Sequence, residues 1–241
     1  MSAPGRPALD FWNTTYLSKR TDTAEPVLRD ALAHFGTVRG KRLLDVGCGR
    51  GGASIYFAAH GAEVVAIDLS HVAVDALRSL CTQNGIDNVR TEVCSAVDIA
   101  KLGPFDFAFG SMILHHLEPF REFATSLAHA TAPGAKGFFY ENNARSRLLL
   151  WFRKHLVGRF GIPKYGDSEE FPLEPQEIEM LQNHFDVRIE FPELHYFRLV
   201  STYLLGGRLH RLTGALDRWC YRRKFLNHYS YRQYVIVVKK S

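Results

Sequence analysis

Apolar and polar positions alternate along this chain with two different periods. Short runs rich in β-branched and aromatic side chains at residues 42–48, 63–68, 89–94, 105–111 and 136–141 predict strands. Stretches of helical length at 51–60, 71–84 and 118–131 fall between them. Strands separated by single helices predict a parallel sheet covered on both faces. Ser70, directly before the 71–84 segment, has the side chain of an N-cap, and Pro133-Gly134 breaks the chain before the fifth strand.

After residue 141 the pattern changes. Residues 144–160 (ARSRLLLWFRKHLVGRF) predict a basic, apolar helix, followed by a loop over 161–172 and a helix over 175–185 with acidic residues in its first turn. Residues 186–191 and 231–238 predict a sixth and a seventh strand. Between them lies an arginine-rich, aromatic, helical excursion over 195–229 where a tight hairpin would suffice, and such excursions usually serve function. At 241 residues and 46% hydrophobic, the chain fits one α/β domain with appendages. Residues 1–40 form an arm and helix, 41–143 the core, and 144–241 cap helices with the last two strands.

Composition narrows the class. No run of eighteen apolar residues occurs and the amino-terminal stretch lacks the apolar region of a signal peptide, so a cytoplasmic protein is expected. Cys48, Cys81, Cys94 and Cys220 have no CxxC spacing, which argues for reduced thiols rather than zinc or disulfides. The net charge of +5 is unevenly placed: from residue 195 onward Asp217 is the only acidic side chain among many Lys and Arg. Such a stretch faces nucleic acid, anionic lipid, an anionic substrate or simply water.

Gly47, Gly49 and Gly52 satisfy G-x-G-x-x-G between a strand and a helix, a spacing shared with NAD-dependent dehydrogenases. Asp45 tips the balance, because a carboxylate two residues before the first glycine suits an ammonium group and repels a pyrophosphate. Asp68, ending the second strand, is placed to accept both hydroxyls of a ribose. With LLDVGCGRGG at 43–52, VVAIDLS at 64–70, FDFAFGSMILHHL at 105–117 and Pro133-Gly134, the chain resembles the class I S-adenosylmethionine (SAM)-dependent methyltransferases. Within that class it resembles the small-molecule group that includes enzymes of ubiquinone and menaquinone biosynthesis. The resemblance runs from about residue 42 to 141. It implies a Rossmann-like three-layer sandwich with a seven-stranded, mostly parallel sheet. The last strand is antiparallel and inserted between the fifth and sixth, with helical caps after strands five and six.

The same resemblance assigns a cofactor set of Asp45, Gly47, Cys48, Gly49, Asp68, Leu69, Ser95, Ala96, Gly110 and Ser111, with Tyr16 and Arg20 in a segment folded over the cofactor. Where the family usually carries an acidic residue after strand three, this chain has Ser95-Ala96, with Asp98 beyond. Methyl transfer to a hydroxyl needs an aligned acceptor and a base. His115 is the preferred base, since an ordinary histidine takes a proton near neutrality, and Glu141 at the end of strand five is the second catalytic candidate, either on the same rim or capping the next helix. His115 and His116 diverge by about 100° if helical, so only one of them faces the substrate and no metal site is indicated.

The acceptor is expected to be small and hydrophobic or lipid-like, methylated on oxygen or nitrogen. Motifs for nucleic-acid base methylation are missing, although the basic tail keeps an RNA methyltransferase in view as an alternative, beside a SAM-binding protein that transfers no methyl. Residues 148–152 and 197–212 form amphipathic helices that either wall off an apolar pocket or touch a membrane surface. The 195–229 insertion is read as the acceptor cap, or alternatively as the arm of a homodimer.

Overall fold

A computed structural model describes residues 26–144, Trp151, His155, 173–194, 196–204, 206 and 208–241. Helix α1 (Pro26–Phe35) precedes β1 (Arg42–Val46), α2 (Gly52–Ala59), β2 (Glu63–Asp68), α3 (His71–Asn84) and β3 (Val89–Val93). A 3-10 turn, Ala96–Leu102, leads to β4 (Phe105–Ser111), a second such turn (Leu114–His116), α4 (Phe120–Ala130) and β5 (Thr131–Asn142). Then follow α5 (Pro175–Gln182), β6 (Phe185–Glu190), α6 (Phe197–Leu204), α7 (His210–Tyr221), a 3-10 turn (Lys224–Tyr229) and β7 (Arg232–Lys239).

The strands form a seven-stranded sheet in the order β3-β2-β1-β4-β5-β7-β6. The first five are parallel, and β7 runs antiparallel between β5 and β6. Alternate side chains feed two cores. Leu43, Phe107, Phe109 and Phe138 pack with Phe35 and Phe57 beneath α1 and α2, while Leu44, Phe105 and Phe139 pack with Phe123, Leu127 and Leu181 beneath α4 and α5. Aromatic rings lock the first core, with centroids 4.9 Å apart for Phe35–Phe107 and 5.2 Å for Phe57–Phe109.

Local chemistry sets the boundaries. Ser70 accepts from Ala73 N–H at 3.2 Å and caps α3, as the sequence predicts. Glu174 and Glu177 form a reciprocal capping box around Pro175 at the start of α5. The break expected at Pro133-Gly134 before the fifth strand falls inside it. The strand begins at Thr131, and the register jumps from Phe105↔Thr131 to Phe107↔Lys136, so the Pro-Gly pair forms a bulge inside β5.

The 195–229 excursion contains the antiparallel partners α6 and α7. Asp217 on α7 is 2% exposed, and its carboxylate accepts from the backbone N–H groups of Tyr196, Phe197 and Arg198 at 3.2, 2.9 and 2.9 Å. The solitary acid of the basic tail thus satisfies the first-turn donors of α6 and pins the two helices together. Apart from Ala144, Trp151 and His155, the helix expected over 144–160 and its loop lie outside the described residues, as do Tyr16, Arg20 and His195. Among the described residues no helix is long and apolar enough to cross a membrane.

Candidate active site

The carboxyl ends of β1, β2, β4 and β5 converge on one rim. After β1 the chain turns through Gly47 at φ 68°, where a Cβ would lie 2.5 Å from the Ile113 side chain, so both the backbone and the space require glycine. Asp68, at the end of β2, accepts from Gly49 N–H at 3.0 Å and from Ser70 N–H at 2.8 Å. It therefore ties the glycine turn to β2 while keeping lone pairs for further donors. Burial raises its carboxyl above the ordinary range.

Asp45, expected beside an ammonium group, is 2% exposed and accepts a 2.5 Å hydrogen bond from Ser54 Oγ in the first turn of α2. Burial pushes its carboxyl up to about 7. Cys48 is buried beside Gly49, and desolvation drives its thiol well above the usual range. Leu69 is exposed, Ser95 caps the Ala96–Leu102 turn through Val97 N–H, and Ala96 is buried. Gly110 at the end of β4 allows a close approach, since a Cβ there would lie 2.7 Å from Ile113 and 2.9 Å from Phe139.

Beyond β4, Met112 adopts a left-handed backbone (φ 56°) and donates its N–H to Tyr140 O at 2.8 Å. The turn that follows is fastened by Glu141. The expectation that Glu141 presents itself on the rim is corrected: its side chain is fully buried. One oxygen, Oε1, accepts from Ile113 N–H at 2.8 Å and Leu114 N–H at 2.6 Å, while Oε2 lies 2.6 Å from His115 Nδ1. Register explains this, because Glu141 shares the sheet face of Phe139 and points into the α4 side rather than outward. The second correction concerns the histidine pair. His115 and His116 occupy a 3-10 turn, and their rings pack with centroids 4.1 Å apart instead of diverging.

Sequence reasoning missed Ser54, Asn142 and Arg232. A serine one turn into the helix after the glycine loop is the only available signal for the first. The other two are brought together by the β5–β7 register, which joins Asn142 to Arg232.

A parallel sheet whose last strand returns antiparallel, a glycine turn after β1 and an acidic residue ending β2 define the class I SAM-dependent methyltransferase fold. The glycine cradle and the Asp68 acceptors fit an adenosyl cofactor without phosphates. A family described as "Methyltransferase domain" matches residues 17–204, and the chain belongs to it. A ubiquinone biosynthesis O-methyltransferase of Coxiella burnetii is 29% identical over 204 residues, covering 83% of this chain and 86% of that protein. Among solved structures, the geranyl diphosphate C-methyltransferase of Streptomyces coelicolor superposes with a TM-score of 0.62 at 16% identity, covering 99% of this chain and all of the other. The [4+2]-cyclase SpnF superposes with a TM-score of 0.63 at 16% identity, covering 99% of this chain and 96% of that one. The chain is a SAM-dependent methyltransferase acting on a small molecule.

Proposed function

We propose that the chain methylates an oxygen or nitrogen of a small, apolar or lipid-like acceptor, with His115 as the base and Glu141 as its positioning residue. The observation that carries this reading is the buried Glu141–His115 pair at the β4 exit. When bound, SAM supplies a methyl group activated by its sulfonium. Asp68 would hold the ribose hydroxyls, the turn at Gly47 and Gly49 would let the backbone approach, and Gly110 and Ser111 would border the methionine end. A carboxylate accepts but does not donate, so neutral His115 carries its proton on Nδ1, which makes Nε2 the accepting nitrogen of the ring. The ring is 1% exposed, so bulk water is kept from it, and on this reading the acceptor displaces covering side chains to reach Nε2. A hydroxyl acceptor accords with the name of the Coxiella relative, an O-methyltransferase.

On this reading residues 41–143 hold the cofactor, the arm and helix of 1–40 close over it, and 144–241 close the acceptor side of a cytoplasmic enzyme. Two substitutions test it. Asp68→Ala should weaken SAM binding at least tenfold by calorimetry, since a charge-assisted acceptor is worth about 1.5–3 kcal/mol. His115→Ala should lower release of S-adenosylhomocysteine from metabolite extracts by about 10²–10⁴-fold while SAM affinity holds. Full turnover in His115→Ala would remove His115 from the chemistry, and full turnover in His116→Ala as well would leave transfer to alignment alone.

A separate observation supports contact with an anionic bilayer. On α7, Leu212 (65% exposed), Leu216 and Trp219 (57% exposed) share one helix face, bordered by exposed Arg208, Arg211, Arg218, Arg222 and Arg223. Asp217, the one acid in that stretch, faces inward, so the outward charge is uniformly positive. The chain should sediment with phosphatidylglycerol vesicles and lose that behaviour in Leu212→Glu. A concentration-dependent dimer abolished by the same substitution, without vesicle binding, would assign the face to a second copy instead.

A further inference from the structure

Arg232 opens β7 directly opposite Asn142, the last residue of β5, and so stands at the strand ends that carry Glu141 and the β4 exit. Its Nη1 donates to Asn142 Oδ1 at 2.5 Å and touches Met112 Sδ at 2.8 Å. Its guanidinium carbon lies 5.3 Å from the ring centroids of both Tyr140 and Tyr231. Met112 sits three positions before His115 on the same exit segment, in the left-handed backbone noted above.

All of these partners are neutral. Among the described residues no carboxylate pairs with Arg232, and the nearby acids are engaged elsewhere. Glu141 binds backbone N–H groups and His115, Glu193 lies 3.7 Å from Arg198, and Asp30 accepts from Tyr234 Oη–H. A half-buried cation costs free energy unless its charge is used, and this one is held in place by a hydrogen bond and two aromatic faces. With Nη1 anchored, the Nε–Nη2 edge remains as a planar, pre-oriented fork that matches two oxygens of one anionic group.

We propose that Arg232 is a specificity-determining residue that binds a carboxylate or phosphate group carried by the acceptor, so that the substrate class is an anionic small molecule with an apolar body. This rests on the methyl-transfer reading, which places the acceptor at this rim. Asn142 is the positioning residue that fixes the guanidinium, and Tyr140 and Tyr231 supply apolar walls beside the charge.

The test is a binding measurement that needs no turnover. The protein labelled at its methionine methyl groups with carbon-13, and saturated with S-adenosylhomocysteine, is titrated with benzoate, phenyl phosphate and benzyl alcohol. The Met112 methyl reports on Arg232 through the Sδ contact, and Met180 on α5 serves as the internal control. The expected result is a saturable shift of Met112 with an anionic probe and none with benzyl alcohol. The tighter of benzoate and phenyl phosphate identifies the group as carboxylate or phosphate. Arg232→Gln should weaken the anionic probe at least tenfold with S-adenosylhomocysteine affinity unchanged. Arg232→Lys, which keeps charge without the planar fork, should weaken it about tenfold and serves alone if the glutamine variant does not fold. Benzyl alcohol binding as well as the anions, or Arg232→Lys binding them as tightly as the parent, would overturn the proposal. Failure of the methyl-transfer reading shows separately, as anion binding that saturates in a protein with no affinity for S-adenosylhomocysteine.

Discussion

Replacing Glu141 by glutamine isolates what a buried carboxylate does for its neighbours. The amide keeps one oxygen to accept from Ile113 and Leu114 N–H, now as neutral hydrogen bonds worth about 0.5–1.5 kcal/mol instead of about 1.5–3. Two such losses amount to about 2 kcal/mol of stability. The other end becomes an NH2 group 2.6 Å from His115 Nδ1, where two donors would meet. The ring relieves that clash by moving its proton to Nε2, and a nitrogen that already carries a proton cannot accept one from the acceptor. Turnover should therefore fall by about 10²–10⁴-fold, as expected for a base in the wrong tautomer. Nitrogen-15 spectra of the His115 ring read the tautomer without any acceptor: protonated Nδ1 in the parent, protonated Nε2 in Glu141→Gln. Urea denaturation gives the stability change and calorimetry should show SAM affinity unaltered. An Nδ1-protonated ring in both proteins would refute the reasoning even if turnover dropped.

Two further outcomes follow from buried acids. Asp45, raised to about 7 in the fold, binds a proton in the native state over a pH range where the unfolded chain has already released it. Its contribution to stability is complete below its unfolded pKa and declines as pH rises to about 7, by at most about 1.4 kcal/mol per unit. Asp45→Asn removes that slope, so urea midpoints of parent and variant should diverge in favour of the variant between pH 5 and pH 7; parallel curves would exclude a buried titration. Asp217→Ala strips three acceptor bonds from the start of α6 and should destabilise it by about 2 kcal/mol, with amide exchange faster across α6 and unchanged in β1 and β4. Uniform acceleration over the whole sheet would mean that the helical hairpin is not a separate unit.

Much of the frame was legible because strand-length apolar runs here are bounded by glycine, proline and polar turns. Asp45 and Asp68 could be placed at strand ends from the motif alone, and both stand there. What the motif did not reveal was which atoms their carboxylates meet, since the partner of Asp45 is Ser54 in the next helix. Glu141 was misplaced for a different reason. A strand alternates faces, but which face is inward depends on the Pro133-Gly134 bulge and on pairing with β4, neither of which is visible in the local sequence. His115 and His116 were read as helical, whereas a three-residue 3-10 turn brings their rings together. Arg232 looked like one more cation of a basic tail until the antiparallel register set it against Asn142.

That register also governs how the protein must be made. Ninety residues separate Asn142 from Arg232, the pair at one end of the β5–β7 ladder. At ordinary elongation rates the outer edge of β5, with Phe138, Phe139 and Tyr140, waits on the order of ten seconds on the ribosome for its neighbour. During that interval β6 also lacks its partner, so two open strand edges coexist in one nascent chain. The demand for protection during synthesis falls on this half of the sheet, while the glycine turn and Asp68, encoded earlier and paired among near neighbours, are free to assemble first.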